Sequence, residues 1–367
     1  MPSASNTVTM RFINTEDFPR EFQNVQTFHT PTLNDAHSRA LWQQMQAQLA
    51  AQGRTVLHPA WAWLRLLALS AALALCLGFA WQTPSTTYAL LCSLPIALVL
   101  AQFAFLGHDA GHRAVHRSGL WRGLLGQACM TVATGMAFEE WFERHAAHHS
   151  HCQNEQKDPD MEVSVVVSLT EGALKGRTGL ARLCARLQHW HVWFLSLLFA
   201  HSQRHLSQWG VLKQPLHYRR DLAVLVLHGL LWFGLPCWVL QVDASRALLV
   251  YAVPLFVLGP YLATIFWLNH IGMPLVRPGQ SISFLEHQTA TSRTVLSPRA
   301  MDWFFGGLNY QIEHHLFPQV PSIRLAQVQP VVQHTLAKAG VAYNGRDFRT
   351  SVGEVAAHFR QVARAAR

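Results

Sequence analysis

Four segments of the chain are almost continuously apolar and long enough to cross a bilayer, which takes about 20 residues in a helix. They cover approximately residues 61–81, 86–106, 222–240 and 247–268. The connections 82–85 and 241–246, which join the first pair and the second pair, are both short and polar. Connections of this length are turns, so the pattern predicts two transmembrane helical hairpins.

The longer polar segments then share one side of the membrane. They are the N-terminal region, the loop 107–221 and the tail after His270, and they hold nearly all of the lysines and arginines. The opposite connections hold only Arg246, so the positive-inside rule places the polar mass in the cytosol. Two further apolar stretches, 120–138 and 191–200, are interrupted or too short to span, and we predict that they are interfacial helices.

This layout predicts an all-α integral membrane protein with four transmembrane helices in two hairpins and a cytosolic helical cap. Residues 1–55 form a polar N-terminal cytosolic segment, residues 56–340 form the membrane domain, and residues 341–367 form a C-terminal cytosolic tail.

Composition supports the membrane assignment. Half of the 367 residues are hydrophobic and 13% are charged, against roughly 25% in a typical soluble domain. The formal net charge is +9, but the basic residues are scattered among apolar runs, which favours a basic membrane-facing surface and excludes a nucleic-acid partner. Arginine far outnumbers lysine, which indicates a GC-rich bacterial genome and hence a bacterial inner membrane.

Histidine is the residue type whose placement indicates chemistry, with 22 in the chain. His108 and His112 are four residues apart directly after the second span, so they share a helix face. Residues 145–149 (HAAHH) and 311–315 (QIEHH) repeat one spacing, with glutamine in the first position of the second triplet. The histidines expected at one membrane face are His108, His112, His145, His148, His149, His270, His314 and His315. We leave His116 and His151 out of the site.

Eight convergent imidazoles predict two metal ions. Neutral imidazole binds iron, zinc, copper and nickel, and a single zinc uses three or four ligands. A pair of irons that activates oxygen can remove hydrogen from an unactivated methylene group, which no side-chain acid or base can do. The candidate residues for holding the outer N–H groups of the histidines are Asp109, Asp160 and Glu313, with an ordinary solvated carboxylate as the alternative for each. The six cysteines are far apart and form no Cys-x-x-Cys pair, which excludes a zinc ribbon or a rubredoxin-like site.

These motifs resemble the membrane fatty acid desaturases over about residues 30–340. The matching segments are HDAGH at 108–112, HAAHH at 145–149 with DPD at 158–160, and NYQIEHHLFP at 309–318. The Gln-x-x-His-His form of the last motif is similar to the front-end subgroup, which desaturates between an existing double bond and the carboxyl end. Asn269-His270 and Thr291-Ser292-Arg293 also look like that subgroup.

The resemblance implies an O2-dependent acyl desaturase that introduces a cis double bond at a di-iron centre ligated by the eight histidines. Gln311 stands where other subgroups carry histidine, so it is interpreted as a weak ligand, a water holder or an outer group, and Asn269 belongs to the same region. The substrate is an acyl-CoA, an acyl-ACP or an acyl-lipid lying in an apolar tunnel. No His-Pro-Gly-Gly haem motif occurs, so we expect electrons from a separate ferredoxin or cytochrome b5-like donor and its reductase.

Other activities remain open from the sequence. A hydroxylase, an epoxygenase or an acetylenase could use the same scaffold, because each begins with removal of a hydrogen. A divalent-metal transporter places ionisable groups inside its spans, whereas these spans hold almost none apart from Arg65 and His228. A membrane zinc hydrolase needs fewer ligands than eight histidines.

Overall fold

The computed structural model describes residues 33–53, 55, 57–161, 164–277 and 280–367. Most of the predicted N-terminal segment, residues 1–32, lies outside the described residues. The helices are α1 (Asp35–Ala51), α2 (Ala60–Gln82), α3 (Thr86–Leu91), α4 (Ser93–Gly111), α5 (Gly119–Gly126), α6 (Phe138–His151), α7 (Gly179–Leu195), α8 (Phe199–Lys213), α9 (Arg219–Gly229), α10 (Ala244–His270), α11 (Phe284–Ala290), α12 (Arg299–Phe304), α13 (Gln311–Leu316), α14 (Leu325–Lys338) and α15 (Phe348–Ala365).

Four helical stretches are long and apolar enough to cross a membrane, as the sequence predicts. They cover Ala60–Gln82, Thr86–Gly111, Arg219–Val239 and Ala244–His270. The third continues α9 through a π-helical segment, Leu230–Val239, which contains Pro236. A proline cannot donate to the helical ladder and widens it locally. The protein therefore has the helices of a multi-pass membrane protein.

The fold is mostly helical rather than all-α, because two short strands pair in parallel. Strands β1 (Thr294–Leu296) and β2 (Gly345–Asp347) align Thr294 with Gly345. Three residues per strand are too few for an amphipathic pattern to show in the sequence. The pairing ties the segment after residue 340 to the rest of the protein.

Helix α4 lies at the centre of the bundle and packs against α2, α5 and α10. Two glycines near its C-terminal end allow side chains of neighbouring segments to pack directly against the helix backbone. A Cβ at Gly107 would lie 2.6 Å from Met130 Cγ, and one at Gly111 would lie 2.7 Å from the Phe142 ring. Small residues of this kind let helices approach closely in membrane proteins. They bring the His108 end of α4 against the segment that leads into α6.

The two predicted interfacial stretches have one buried and one exposed apolar face. Residues 119–126 form α5, which continues as a π-helical segment, Gln127–Thr134, packed on α4 and α9. Residues 191–200 join the end of α7 to the start of α8, and Trp190 and Phe194 of α7 are exposed. Their position at a bilayer surface stays a prediction.

Helix α1 and residues 284–338, which we call the cap, lie beside the ends of α4 and α10, because Leu308 accepts from Asn269 and Ser322 donates to Asp109. Helices α1, α11, α13 and α14 share a core of buried side chains that includes Met45, Leu49, Ile312, Leu316 and Val328. Helix α15 packs on α7, and its Phe359 joins the core of the apolar helices. The domain boundary predicted at residue 340 stays a prediction.

A buried ion pair fastens α15 to the end of α10. Arg293 is wholly buried and its Nε lies 2.9 Å from Glu354 Oε2. The guanidinium also donates to the carbonyl oxygens of Leu268 and Ile271, at 2.5 and 3.1 Å. These carbonyls flank His270, so the pair fixes the backbone on both sides of that histidine.

Candidate metal centre

The eight predicted histidines lie together in two adjacent groups. In each group, one potential ligand atom per residue lies within 4.8 Å of all the others. The first group contains His108, His112, His145, His149 and His314, and the second contains His148, His270, His315 and Cys152. The neighbours His148 and His149 on α6 connect the two groups.

Three chain segments supply the first group. His108 lies in the last turn of α4, His112 directly follows that helix, His145 and His149 lie one turn apart on α6, and His314 lies on α13. The Nε2 atom of His145 lies 3.1, 3.0 and 3.1 Å from the Nε2 atoms of His108, His112 and His149. The Nε2 atom of His314 lies 3.0 Å from that of His149.

These contacts cannot all be hydrogen bonds. A neutral imidazole carries one proton, so His145 Nε2 can donate to at most one of its three nitrogen neighbours. The remaining close pairs bring lone pair against lone pair, which is unfavourable unless a cation lies between them. Five imidazole nitrogens aimed at one point are the donor set of a transition-metal ion.

In the second group the outer ring nitrogens are held by acceptors. His148 Nδ1 lies 3.0 Å from Asp158 Oδ1, His270 Nδ1 lies 3.1 Å from the Thr291 carbonyl oxygen, and His315 Nδ1 lies 2.7 Å from Gln288 Oε1. A proton on each Nδ1 leaves the Nε2 lone pair free to bind a metal. His315 Nε2 is buried and has no hydrogen-bond partner among the described residues, as expected for an atom that faces a metal position.

Burial keeps most of these rings neutral. It lowers the pKa well below the usual value for five of the histidines, with the neighbouring imidazoles adding to the effect: His112, His145, His149, His314 and His315. Burial alone would also lower the pKa of His148, but Cys152, Asp160 and the hydrogen bond with Asp158 raise it well above its usual value. Neutral rings offer lone pairs, and the surroundings of His148 favour a positive charge, whether proton or metal.

Gln311 points an N–H group at the second group. Asn269 Nδ2 donates to the Leu308 carbonyl oxygen at 3.0 Å, which fixes the orientation of the Asn269 amide. The same Nδ2 donates to Gln311 Oε1 at 2.9 Å, so Gln311 Nε2 is the atom that lies 2.9 Å from His270 Nε2. The lone pair of His270 Nε2 can accept this N–H or bind a metal, but not both at once. Of the three interpretations of Gln311, the orientation of its amide favours a hydrogen-bond donor over an oxygen ligand.

The structure places the three predicted outer carboxylates differently. Asp109 accepts from the Ser322 N–H and hydroxyl groups, and Glu313 accepts from Thr294 and Tyr343. Each directly adjoins a histidine in its helix, and successive helical residues point about 100° apart, so the hydrogen-bond partners of both carboxylates lie off the histidine face. Asp109 Oδ1 nevertheless lies 3.8 Å from His108 Nδ1, so its role as an outer partner of that ring stays a prediction. Burial raises the pKa of Glu313 to about 7. Asp160 is close to the site, 3.4 Å from His148 Nδ1, but its side chain is 43% exposed.

Three residues of the site were missed from the sequence. Asp158 contacts His148 more closely than Asp160 does, and its side chain is only 2% exposed. Gln288 holds His315 from α11, and Cys152 lies beside His270 with Sγ 3.4 Å from Nδ1. His270 and His148 lower the pKa of the Cys152 thiol to about 6, against the effect of burial. The DPD segment was the only signal for Asp158, and no local pattern marks Gln288 or Cys152.

The donor set fits a pair of nitrogen-ligated transition-metal ions. The first group offers five imidazoles and the second offers three with fixed outer nitrogens, so each exceeds or meets the three protein ligands of a typical catalytic metal site. Both groups are buried at the end of an apolar bundle. The arrangement is suited to chemistry on an apolar substrate away from bulk water.

Comparison with known proteins agrees with the site. The profile of the family described as fatty acid desaturase matches residues 84–347, which includes all eight histidines. The chain is 27% identical over 269 residues to the Delta(8)-fatty-acid desaturase of Borago officinalis, covering 69% of this chain and 59% of that protein. It is 29% identical over 288 residues to fatty acid desaturase 3 of Bos taurus, covering 76% and 61%.

A third relative is the acyl-lipid (9-3)-desaturase of Physcomitrium patens, 27% identical over 298 residues, which cover 78% of this chain and 55% of the relative. The chain thus spans about three fifths of the length of the curated relatives it matches. Because the family profile covers most of the chain together with the clustered histidines, the protein belongs to the fatty acid desaturase family.

Proposed function

We propose that the protein is an O2-dependent fatty acyl desaturase that introduces a cis double bond into an acyl chain. The observation that carries the proposal is the convergence of eight histidines, six of them buried and two half-buried, into two adjacent groups. The relatives named as desaturases support the reaction type.

We assign the eight histidines as ligands of two iron ions, five in the first group and three in the second. An iron pair held there supplies the oxygen activation and hydrogen removal that side chains cannot perform. Asp158, Gln288 and the Thr291 carbonyl hold the outer nitrogens of the second group and thereby orient its rings. Gln311 contributes an N–H donor at the same point, held by Asn269.

The proposed arrangement in the membrane is two hairpins with the cap in the cytosol of a bacterial cell. Arg246 donates to the Thr83 carbonyl oxygen, which joins the two short connections at the end remote from the histidines. The opposite end carries the cap and most of the basic residues, which suits an acidic electron donor such as a ferredoxin or a cytochrome b5-like protein with its reductase. The acyl carrier is a CoA thioester, an acyl-ACP or an intact lipid.

The test is expression in a host that lacks polyunsaturated lipids, feeding of defined fatty acids, and location of new double bonds by mass spectrometry. We expect a new cis double bond and about two irons per purified chain. His315→Ala should abolish the product, whereas His334→Ala, which alters an exposed histidine on α14, should leave it unchanged. A hydroxylated, epoxidised or acetylenic product would replace the desaturase assignment, and an iron-free protein that moves zinc across vesicles would refute it.

A further inference from the structure

A cavity of about 360 Å³ lies where α2 and α4 meet the cap. Its wall is formed by Trp61, Arg65, Gln102, Asp302, Trp303 and Ile323, together with neighbouring cap residues. Most of this wall is apolar, so the few polar atoms in it determine what the cavity can bind.

Among the described residues that line this cavity Arg65 is the one cation, and it is only partly hydrogen-bonded. Its Nη2 donates to Gln102 Oε1 at 2.6 Å, and Gln102 Nε2 donates to the Trp303 carbonyl oxygen at 3.1 Å. These bonds hold the guanidinium in place. Its Nη1 is buried and has no hydrogen-bond partner among the described residues. A buried donor without an acceptor is costly, so an oxygen atom of a ligand in the cavity would relieve that cost.

Two carboxylates limit the charge of that ligand. Asp302 lies in the cavity wall, where it accepts from Asn309 at 3.0 Å and from the Tyr310 hydroxyl at 3.2 Å. Asp109 is also close enough to Arg65 to interact with its charge. Asp109 already offsets the charge of the guanidinium, and Asp302 adds a second negative charge to the cavity wall, so a further anion such as a phosphate would be repelled. A neutral oxygen acceptor, such as a carbonyl, fits this balance better.

The cavity adjoins the metal centre through two of its wall residues. Ser322 donates its hydroxyl to Asp109 at 3.0 Å, and Asp109 Oδ1 lies 3.8 Å from His108 Nδ1. Tyr310 directly precedes Gln311, whose amide faces His270. A molecule anchored in the cavity therefore has one end a short distance from the histidines.

We propose that the cavity binds the carboxyl-derived end of the acyl substrate and that Arg65 Nη1 donates a hydrogen bond to its ester or thioester carbonyl oxygen. This proposal rests on the proposed desaturase function. Anchoring the carbonyl fixes which methylene groups reach the metals, so Arg65 is a positioning residue that sets the location of the double bond.

The test is infrared difference spectroscopy of the iron-loaded, anaerobic protein with an acyl thioester labelled with carbon-13 at the carbonyl. Without O2 the substrate binds but does not react. In the wild type we expect the labelled carbonyl band to shift to lower frequency on binding. In Arg65→Met the band should stay at its unbonded frequency, and affinity should fall roughly tenfold or more, as for loss of a hydrogen bond to a charged group.

Arg220→Met is the matched control, because it removes an exposed arginine from the start of another membrane helix, and we expect wild-type binding and an unchanged band. Ala326→Leu, which narrows the cavity and leaves the guanidinium intact, should weaken binding and thus tests the site even if Arg65→Met fails to fold. A shifted band in Arg65→Met, or wild-type affinity in Ala326→Leu, would overturn the proposal. So would Arg65-dependent binding of a phosphate-bearing lipid that has no acyl carbonyl.

Product analysis distinguishes a failure of the anchoring role of Arg65 from a failure of the proposed desaturase function. If the wild type forms desaturated product, Arg65→Met should spread the double bond over neighbouring positions, and an unchanged position would contradict the anchoring role. If the wild type forms no desaturated product, the proposed function fails, while the shifted carbonyl band still reports whether Arg65 binds the acyl carbonyl.

Discussion

Replacement of Asp158 by asparagine tests how the second group of histidines is oriented. Asp158 lies in a buried turn after α6 and accepts from His148 Nδ1 at 3.0 and 3.1 Å. It also accepts from the backbone N–H groups of Gln153 and Asp160, at 2.8 and 3.0 Å. Although burial opposes it, the hydrogen bond and charge of His148 lower the pKa of Asp158, so the group is an anion at neutral pH.

The expected effect of Asp158→Asn is a weaker iron site in an otherwise folded protein. The amide keeps one acceptor oxygen for the turn but loses the negative charge that polarises the His148 ring. Loss of such an outer partner costs about 10- to 100-fold in metal affinity, or about 1.4–2.7 kcal/mol. The iron of the second group should therefore be released at a chelator concentration about 10 to 100 times lower than in the wild type.

Asp160→Asn is the matched control, because this carboxylate is 3.4 Å from the same nitrogen but its side chain is 43% exposed. Solvent screens its charge, so we expect a change below about 1 kcal/mol, or roughly fivefold. The assay is iron per chain after dialysis against graded chelator, with a thermal melt to verify folding. Wild-type iron affinity in Asp158→Asn, or a larger loss in Asp160→Asn, would refute this account of the ligand geometry.

Three further predictions follow from other contacts. Arg293→Met or Glu354→Gln leaves one buried charge unpaired and should lower the free energy of unfolding by about 3–5 kcal/mol. Thermal or denaturant melts in detergent measure this, and a variant that melts like the wild type would contradict the prediction. Gln311→Leu should leave iron content unchanged and lower kcat about tenfold or more, since it removes an N–H donor; loss of iron would instead identify Gln311 as a ligand. Because burial lowers the pKa of the ring nitrogens, the unfolded metal-free chain binds protons below pH about 6.5 that the folded chain excludes. The free energy of unfolding should therefore fall between pH 7.5 and pH 5.5 by about 1.4 kcal/mol for each ring that stays neutral. The melting temperature of metal-free protein should fall with it, and an equal melting temperature at the two pH values would contradict this. The rings concerned are those of His112, His145, His149, His314 and His315.

The sequence predicts the parts of this protein that depend on local pattern. Hydropathy locates the four long helices to within a few residues, because burial in lipid requires continuous apolar runs. The spacing of three and four residues locates the histidines, because a helix places such residues on one face. The convergence of His270 with His148 and His315 depends on tertiary structure. The sequence suggests it only because all three histidines are expected at the same membrane face.

The partners of the histidines depend on turns and on distant segments, and the sequence predicts these poorly. Asp158 rather than Asp160 approaches His148 because the chain reverses after Gln153, a non-glycine residue with a φ of 59°. That conformation lets the Gln153 N–H donate to Asp158 while its side chain donates to the His270 carbonyl oxygen at 2.7 Å. Glu313 adjoins His314 in sequence and for that reason points to another face of its helix, whereas Asp109 accepts from Ser322 with its Oδ1 still 3.8 Å from His108 Nδ1.

The ion pair between Arg293 and Glu354 has a consequence for how the centre is assembled during synthesis. The backbone around His270 is held by Arg293, but the charge of Arg293 is balanced only when Glu354 of α15 arrives. At about 5–20 residues per second, the ribosome takes several seconds to pass from the histidine to the glutamate. We expect the second group to stay loose during that interval. Iron loading would then follow translation of α15, and a nascent chain stalled before residue 348 would accumulate without its full metal content.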